Sequence, residues 1–78
     1  MKVLFTRKIA GENFTFYGNK MLWDNNFKTY YTATSEPNCF GYPNTIMLNK
    51  NNTYALDRYI APYKLRLLER IATKKGLL

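Results

Sequence analysis

The stretch Phe27-Lys28-Thr29-Tyr30-Tyr31-Thr32-Ala33-Thr34 decides the fold class, because it has some of the strongest β propensity in the chain. β-Branched and aromatic side chains fit the pleated, half-buried surface of a strand. Turn residues precede this stretch at 24–26, and a run with two prolines, one glycine and two asparagines follows it at 35–44. We therefore predict a strand over 27–34 that leads into an irregular loop over 35–44.

The residues before this strand predict further strands joined by hairpin turns. Residues 2–9 alternate, with Val3, Phe5 and Ile9 on one side of the strand, where Arg7 also falls, and Leu4, Thr6 and Lys8 on the other. After the turn residues of 10–13, the run 14–17 resumes the β pattern. A Gly-Asn pair at 18–19 supplies the positive φ that a two-residue hairpin turn requires, and a further strand follows at 20–23. A four-stranded antiparallel meander over 1–34 is the resulting prediction.

After a short candidate strand at 45–48, the chain changes to a helical period. Apolar and aromatic residues recur at mostly helical spacings, namely Tyr54, Leu56, Tyr59, Ile60 and Tyr63. We predict a helical part over 53–75, divided into a short helix near 53–60 and a second helix from Pro62 to Lys75 that Gly76 stops. A single kinked helix is the alternative. The predicted inner face of the second helix consists of Leu65, Leu67, Leu68, Ile71 and Ala72.

These elements together predict an α+β fold in a single domain, 1–78. About four strands form a small antiparallel β-meander, with 45–48 as a short candidate fifth, and one or two C-terminal helices pack against it. A length of 78 residues suits one small domain, in which the core needs nearly all of the large apolar side chains. A deep catalytic cleft is therefore not expected.

The composition excludes several kinds of functional site. The chain has no histidine and a single cysteine, Cys39, which we interpret as a loop or core thiol. Zinc fingers, histidine general-base catalysis and Ser-His-Asp arrangements are excluded, and one cysteine cannot form an internal disulfide. The five acidic residues are scattered, with no two at a spacing that predicts a shared site. We therefore expect no enzyme activity, no metal and no cofactor.

The predicted location is the cytoplasm, with no membrane among the partners. The apolar run at the amino terminus is too short for the central region of a signal peptide, and no 18 consecutive residues are apolar. A fold without disulfides suits a reducing compartment.

A basic stripe on the second predicted helix is the first candidate binding feature. The 12 lysines and arginines outnumber the 5 acidic residues and give a net charge of +7. Arg66, Arg70 and Lys74 fall on one side of the helix, away from the leucines, where like charges at i, i+4 spacing repel by a few tenths of a kcal/mol per pair. Two interpretations stay open: a solvated face that favours the helix dipole, or a surface that meets an acidic partner.

Tyrosine is the second candidate feature, since tyrosine, tryptophan and arginine dominate binding hot spots. The neighbours Tyr30 and Tyr31 are the main candidates, because adjacent strand residues face opposite sides and one of them must leave a one-sided core. Tyr42, in the predicted loop, is the next candidate. The alternative for each is a half-buried tyrosine with its hydroxyl at the surface.

The sequence therefore predicts a small non-enzymatic intracellular protein that docks on a macromolecular partner through a basic, tyrosine-rich surface. It would modulate or inhibit that partner in the manner of phage or mobile-element accessory proteins. The partner would be an acidic protein surface or a nucleoprotein complex. The alternative is direct nucleic-acid binding through the basic helix, supported by aromatic residues interleaved with Lys20 and Lys28.

Overall fold

The computed structural model describes residues 2–36, 43–56 and 59–78. Over these ranges the chain forms an antiparallel sheet of five strands in the order β1-β2-β3-β4-β5, followed by one helix. The elements are β1 (Lys2–Ile9), β2 (Glu12–Trp23), β3 (Asn26–Ser35), β4 (Thr45–Leu48), β5 (Tyr54–Ala55) and α1 (Pro62–Lys74). The α+β meander with a C-terminal helix is confirmed.

The long strand β2 corrects the prediction of four strands before residue 35. Gly18 pairs with Lys2 of β1 and with Tyr31 of β3, so the predicted Gly-Asn turn lies inside a continuous strand. The next residue, Asn19, is buried, and its side-chain amide donates to Thr32 Oγ1 at 3.1 Å and to the Tyr30 carbonyl at 3.4 Å. The predicted strands 14–17 and 20–23 are two halves of β2.

The true hairpin turns each contain two residues with positive φ. Ala10 (φ 50°) and Gly11 (φ 81°) connect β1 to β2, and Asp24 (φ 49°) and Asn25 (φ 63°) connect β2 to β3. Positive φ at both central residues is the type I′ geometry, whose twist matches that of the flanking strands. The first turn is therefore shorter than the predicted 10–13, because β2 already begins at Glu12.

The predicted short helix near 53–60 is wrong where the chain is described, because Tyr54 and Ala55 form β5 against β4. A tight turn after β4 brings this segment back: Asn51 has φ 63°, and the Thr53 hydroxyl donates to the Asn49 carbonyl at 3.0 Å. Pairing with β4 thus outweighs the helical spacing. Residues 57–58 of the predicted helix lie outside the described residues.

Helix α1 begins and ends where its terminal residues predict. Pro62 occupies the first turn, where a missing N–H costs nothing. At the other end Gly76 has φ 78°, its N–H donates to the Thr73 carbonyl at 3.1 Å, and the Leu77 N–H donates to the Ala72 carbonyl at 2.9 Å. This pair of hydrogen bonds is the Schellman motif. The helix ends at Lys74, one residue before the predicted end.

The core lies between α1 and one face of the sheet, which we call the helix side; the opposite face is the open side. The buried apolar side chains of β2, β3 and β4 on the helix side are Phe14, Phe16, Ala33, Ile46 and Leu48. Leu68 and Ala72 of α1 are buried against them, and Leu65, Leu67 and Ile71 are partly buried there. The predicted inner face of this helix is confirmed.

Candidate binding surfaces

The hairpin of β2 and β3 extends beyond its neighbours in the sheet. Strand β1 pairs with β2 only as far as Gly18, and β4 pairs with β3 only from Tyr31 onward. Within the described chain, residues 19–23 and 26–30 therefore pair with each other alone. We call residues 19–30 the arm. An isolated two-stranded hairpin is at best marginally stable in water, so the arm depends on the sheet that it extends and would be stabilised further by a partner.

The arm carries large apolar side chains that the fold does not bury. Their exposed fractions are 47% for Met21, 59% for Leu22, 55% for Trp23 and 76% for Phe27. Ten large hydrophobic side chains are exposed in the described residues, and six of them lie at this end of the sheet: these four together with Val3 and Leu4. Exposed apolar side chains scattered singly are normal, but a cluster marks an interaction site.

Both faces of the arm carry exposed apolar side chains. Residues directly opposite each other in an antiparallel pair share a face. Leu22 lies opposite Phe27 in the same alternation as the core pair Phe16 and Ala33, which places Leu22 and Phe27 on the helix side. Met21 and Trp23 are on the open side, opposite Lys28 and Asn26.

A shallow groove lies at the base of the arm on the helix side. It has a volume of about 420 Å³ and is lined by Lys2, Leu4, Gly18, Lys20, Thr29 and Tyr31. Gly18 leaves backbone exposed in the groove, and a Cβ there would make ordinary van der Waals contacts, 3.6 Å from Tyr31 Cε1 and 3.7 Å from Leu4 Cδ2. Tyr31 therefore covers a glycine backbone and also packs on the edge of the core.

Cations surround the groove and the arm. Lys2 and Lys20 line the groove itself, and Lys28 is exposed on the open side of the arm. At the end of α1 the Lys75 ammonium lies 5.2 Å from the centroid of the Phe5 ring, a cation–π distance. Phe5 in turn stacks on Phe16 with ring centroids 4.4 Å apart. The potential at this end of the molecule favours an acidic partner.

The open side carries a row of mostly uncharged side chains across the sheet. Tyr17 lies opposite Thr32, Thr32 opposite Met47, and Met47 opposite Tyr54. Tyr30, opposite Asn19 at the base of the arm, lies on the same side of the sheet and is half-buried. Of the two neighbouring tyrosines, Tyr30 thus faces the open side and Tyr31 the helix side, as adjacent strand positions require.

The basic stripe of Arg66, Arg70 and Lys74 is exposed on α1. In the described part of the chain none of the three forms an ion pair. Glu69, the acidic residue of α1, is engaged elsewhere, since its Oε1 accepts a hydrogen bond from the Asn51 N–H at 3.1 Å. Lys64, at the other end of α1, pairs with Glu12 of β2 at 3.7 Å.

The predicted site residues do not form one continuous surface. Arg66, Arg70 and Lys74 are exposed on α1, Tyr31 lines the groove at the base of the arm, and Tyr30 belongs to the arm and faces the open side. Tyr42, like Cys39, is outside the described residues. The arm is not among the predicted sites, although one signal for it is present in the sequence. Met21, Leu22 and Trp23 are consecutive, and three consecutive strand residues cannot all enter a one-sided core.

Neither a metal site nor a membrane-spanning helix is found in the described residues. Over 2–36, 43–56 and 59–78, no three histidine, cysteine or acidic side chains come together as a potential metal site. The same ranges contain no helix long and apolar enough to cross a membrane.

Comparisons with protein-family models, with curated proteins and with solved structures find no match for this chain.

Proposed function

We propose that this chain is a small binding protein, without catalytic activity of its own, that docks on an acidic protein and modulates or inhibits it. Phage and mobile-element accessory proteins of this size act in that way. The observation that carries the proposal is the clustering of six exposed apolar side chains at one end of the sheet. Such a cluster is costly to leave in water, and its burial against another protein would supply binding free energy.

The composition of this end of the molecule favours a protein over other partners. Tryptophan and tyrosine are enriched among residues that dominate protein–protein binding, and Trp23 and Tyr31 lie at the tip and base of the arm. The surrounding lysines would add electrostatic attraction to an acidic surface and increase the association rate. We further propose a cytoplasmic location, which suits a chain with a single cysteine.

Direct nucleic-acid binding is the second candidate, and the observation in its favour is the exposed stripe of Arg66, Arg70 and Lys74, which forms no ion pair within the described ranges. Of the aromatic residues interleaved with Lys20 and Lys28, Phe14 and Phe16 are fully buried in the core and cannot reach a base, while Tyr17, Tyr30 and Tyr31 are half-buried. Phosphate binding by the stripe would have a steep salt dependence.

Affinity capture from a lysate of the cells that make this protein, with and without nuclease, tests the proposal. We expect a protein that stays bound after nuclease treatment. Loss of all bound material with nuclease would instead support nucleic-acid binding and contradict the first proposal.

A matched pair of variants assigns the captured protein to the arm. Phe27→Ala removes a side chain that is 76% exposed, and Tyr59→Ala removes one that is 83% exposed and lies outside the arm. Neither change should alter the melting temperature, because neither side chain is buried. We expect Phe27→Ala to weaken capture by at least about tenfold, the effect of losing a hot-spot side chain, and Tyr59→Ala to leave capture unchanged. Equal capture by both variants would contradict a binding role for the arm.

A further inference from the structure

We propose that the arm inserts into a cleft of its acidic protein partner, so that both of its faces are covered. This inference rests on the proposed function and specifies how the partner is engaged. The observation behind it is the distribution of the exposed side chains. Leu22 and Phe27 project on the helix side and Met21 and Trp23 on the open side, all about half or more exposed. Docking against a flat surface would cover one pair and leave the other in water.

The unpaired edges of the arm support insertion as well. In a two-residue hairpin the residues that flank the turn pair with each other, so Trp23 and Asn26 direct their backbone groups inward. By alternation, the N–H and C=O groups of Leu22 and Lys20 point to one free edge, and those of Phe27 and Thr29 point to the other. The Ser35 N–H, which donates outward to the Asn44 carbonyl at 3.0 Å, fits the same alternation. A cleft offers hydrogen-bond partners to both edges.

The charges on the arm favour an acidic partner over a second copy of this chain. Lys20 is on the helix side and Lys28 on the open side, both exposed at the level just below the apolar tip. Lysines at free edges oppose pairing between identical edges, and each copy carries a net charge of +7. The same lysines would meet carboxylates at the rim of an acidic cleft.

The tip of the arm argues against a lipid bilayer and against nucleic acid. Asp24 occupies the turn, so a carboxylate would have to lead into an anionic membrane or approach phosphates, whereas in the proposed cleft only the rim that faces Lys20 and Lys28 is acidic. The arm has two lysines and four large apolar side chains, whereas phosphate binding requires mainly cations. Five residues in each strand make the arm about 17 Å long, which is the depth of cleft that the proposal requires.

Site-specific photo-crosslinking tests the insertion. The full chain would carry benzoyl-phenylalanine at position 22 on the helix side, at position 23 on the open side, or at position 56 as a control. Leu56 is 54% exposed and Leu22 is 59% exposed, so the control is matched in accessibility. The probe is this labelled chain in the same lysate. We expect positions 22 and 23 to crosslink to different segments of one protein, and position 56 to give no such product.

Each of the other outcomes overturns the inference. Crosslinks from one face alone would indicate docking on a flat surface, and crosslinks to a second copy of the chain would indicate self-association. Crosslinks to lipid or nucleic acid would assign the arm to a different class of partner. If a protein is captured but neither arm position crosslinks to it, insertion is wrong while the proposed function stands. If no protein is captured at all, the proposed function fails with it.

Charge reversal tests the acidic rim separately. Lys20→Glu with Lys28→Glu and the control pair Lys8→Glu with Lys50→Glu alter the net charge equally, and all four lysines are exposed. We expect the arm pair to reduce the crosslink yield at positions 22 and 23 by at least about tenfold, and the control pair to change it much less. An equal loss of crosslink yield with both pairs would show that only the overall charge matters and would contradict an acidic rim on the cleft.

The single tryptophan of the chain, Trp23, gives a direct test against lipid and nucleic acid. Its emission should not shift to shorter wavelength with vesicles of phosphatidylcholine and phosphatidylserine in equal parts, or with a single-stranded oligodeoxythymidine. A saturable blue shift with either probe would overturn the assignment to a protein cleft.

Discussion

Ala10 carries a conformational strain that a single substitution should relieve. Its φ of 50° lies in the left-handed region, which costs an ordinary L-residue about 1–2 kcal/mol. Asparagine tolerates this region, and Asn-Gly is the preferred pair for a type I′ turn. We predict that Ala10→Asn raises the free energy of unfolding by about 0.5–1 kcal/mol in urea denaturation. Ala10→Val, which is β-branched, should lower it; an Asn variant no more stable than the original chain would contradict the turn geometry.

The buried hydrogen bond between the Asn19 and Thr32 side chains is a second feature that a single substitution can test. Both side chains are buried, and the Asn19 amide donates to Thr32 Oγ1 at 3.1 Å. We predict that Thr32→Val lowers the free energy of unfolding by about 1–2 kcal/mol despite its equal size, because a buried donor loses an acceptor. Thr34→Val, half-buried on the same side of β3, is the control and should cost less. Equal costs in denaturant melts would show that the buried hydrogen bond contributes nothing specific.

At the scale of the secondary-structure element, the packing of α1 on the sheet depends on which face of the helix is buried. Leu68 is fully buried at the centre of the helix face, whereas Thr73 is exposed one turn later. We predict that Leu68→Ala costs about 2–5 kcal/mol, a large part of the stability of a domain of this size. Thr73→Ala should cost little, since its hydroxyl only donates to the Glu69 carbonyl within the exposed face of the helix. Two variants of equal stability would show that the helix faces the sheet differently.

Elements with local signals at both ends could be predicted from the sequence. Pro62 and Gly76 act on their own backbone, and the predicted helix between them differs from α1 by one residue. The strand at 45–48 is also as predicted. Gly18-Asn19 has the composition of a turn, but pairing with Lys2 on one side and Tyr31 on the other keeps it extended. The predicted short helix near 53–60 is wrong for the same reason, because pairing with β4 outweighs the helical spacing of its residues.

The two candidate surfaces also differ in how far they could be predicted from the sequence. The basic stripe follows from the helical period alone, so Arg66, Arg70 and Lys74 could be placed on one exposed face from the sequence. The arm could not be predicted in this way, because it exists only where β1 and β4 stop short of the β2–β3 turn. Where neighbouring strands end is a property of the whole sheet. The apolar run 21–23 indicates that some large side chains stay outside the core, but it does not predict where the neighbouring strands end.

At the scale of the whole molecule, the stripe and the arm make separate contributions that substitution can resolve. Changing Arg66, Arg70 and Lys74 to Glu reverses three charges and lowers the net charge from +7 to +1. We predict that the melting temperature stays within a few degrees, because all three side chains are exposed and unpaired in the described chain. Binding to the captured protein should weaken, with a smaller dependence on salt than the original chain shows. Full affinity in this variant would identify the stripe as a solvated face.

The kind of contact that the stripe makes can be read from two conservative substitutions. Arg66→Lys with Arg70→Lys preserves the net charge but removes the planar guanidinium, which binds carboxylates with two parallel hydrogen bonds. If the stripe meets defined carboxylates of a protein, the double variant should bind several-fold more weakly at every salt concentration. Diffuse attraction to phosphates depends on charge alone and should persist. Because the arm is unchanged in this variant, the arm crosslinks should keep their positions, and an unchanged affinity after nuclease treatment would contradict a specific arginine contact.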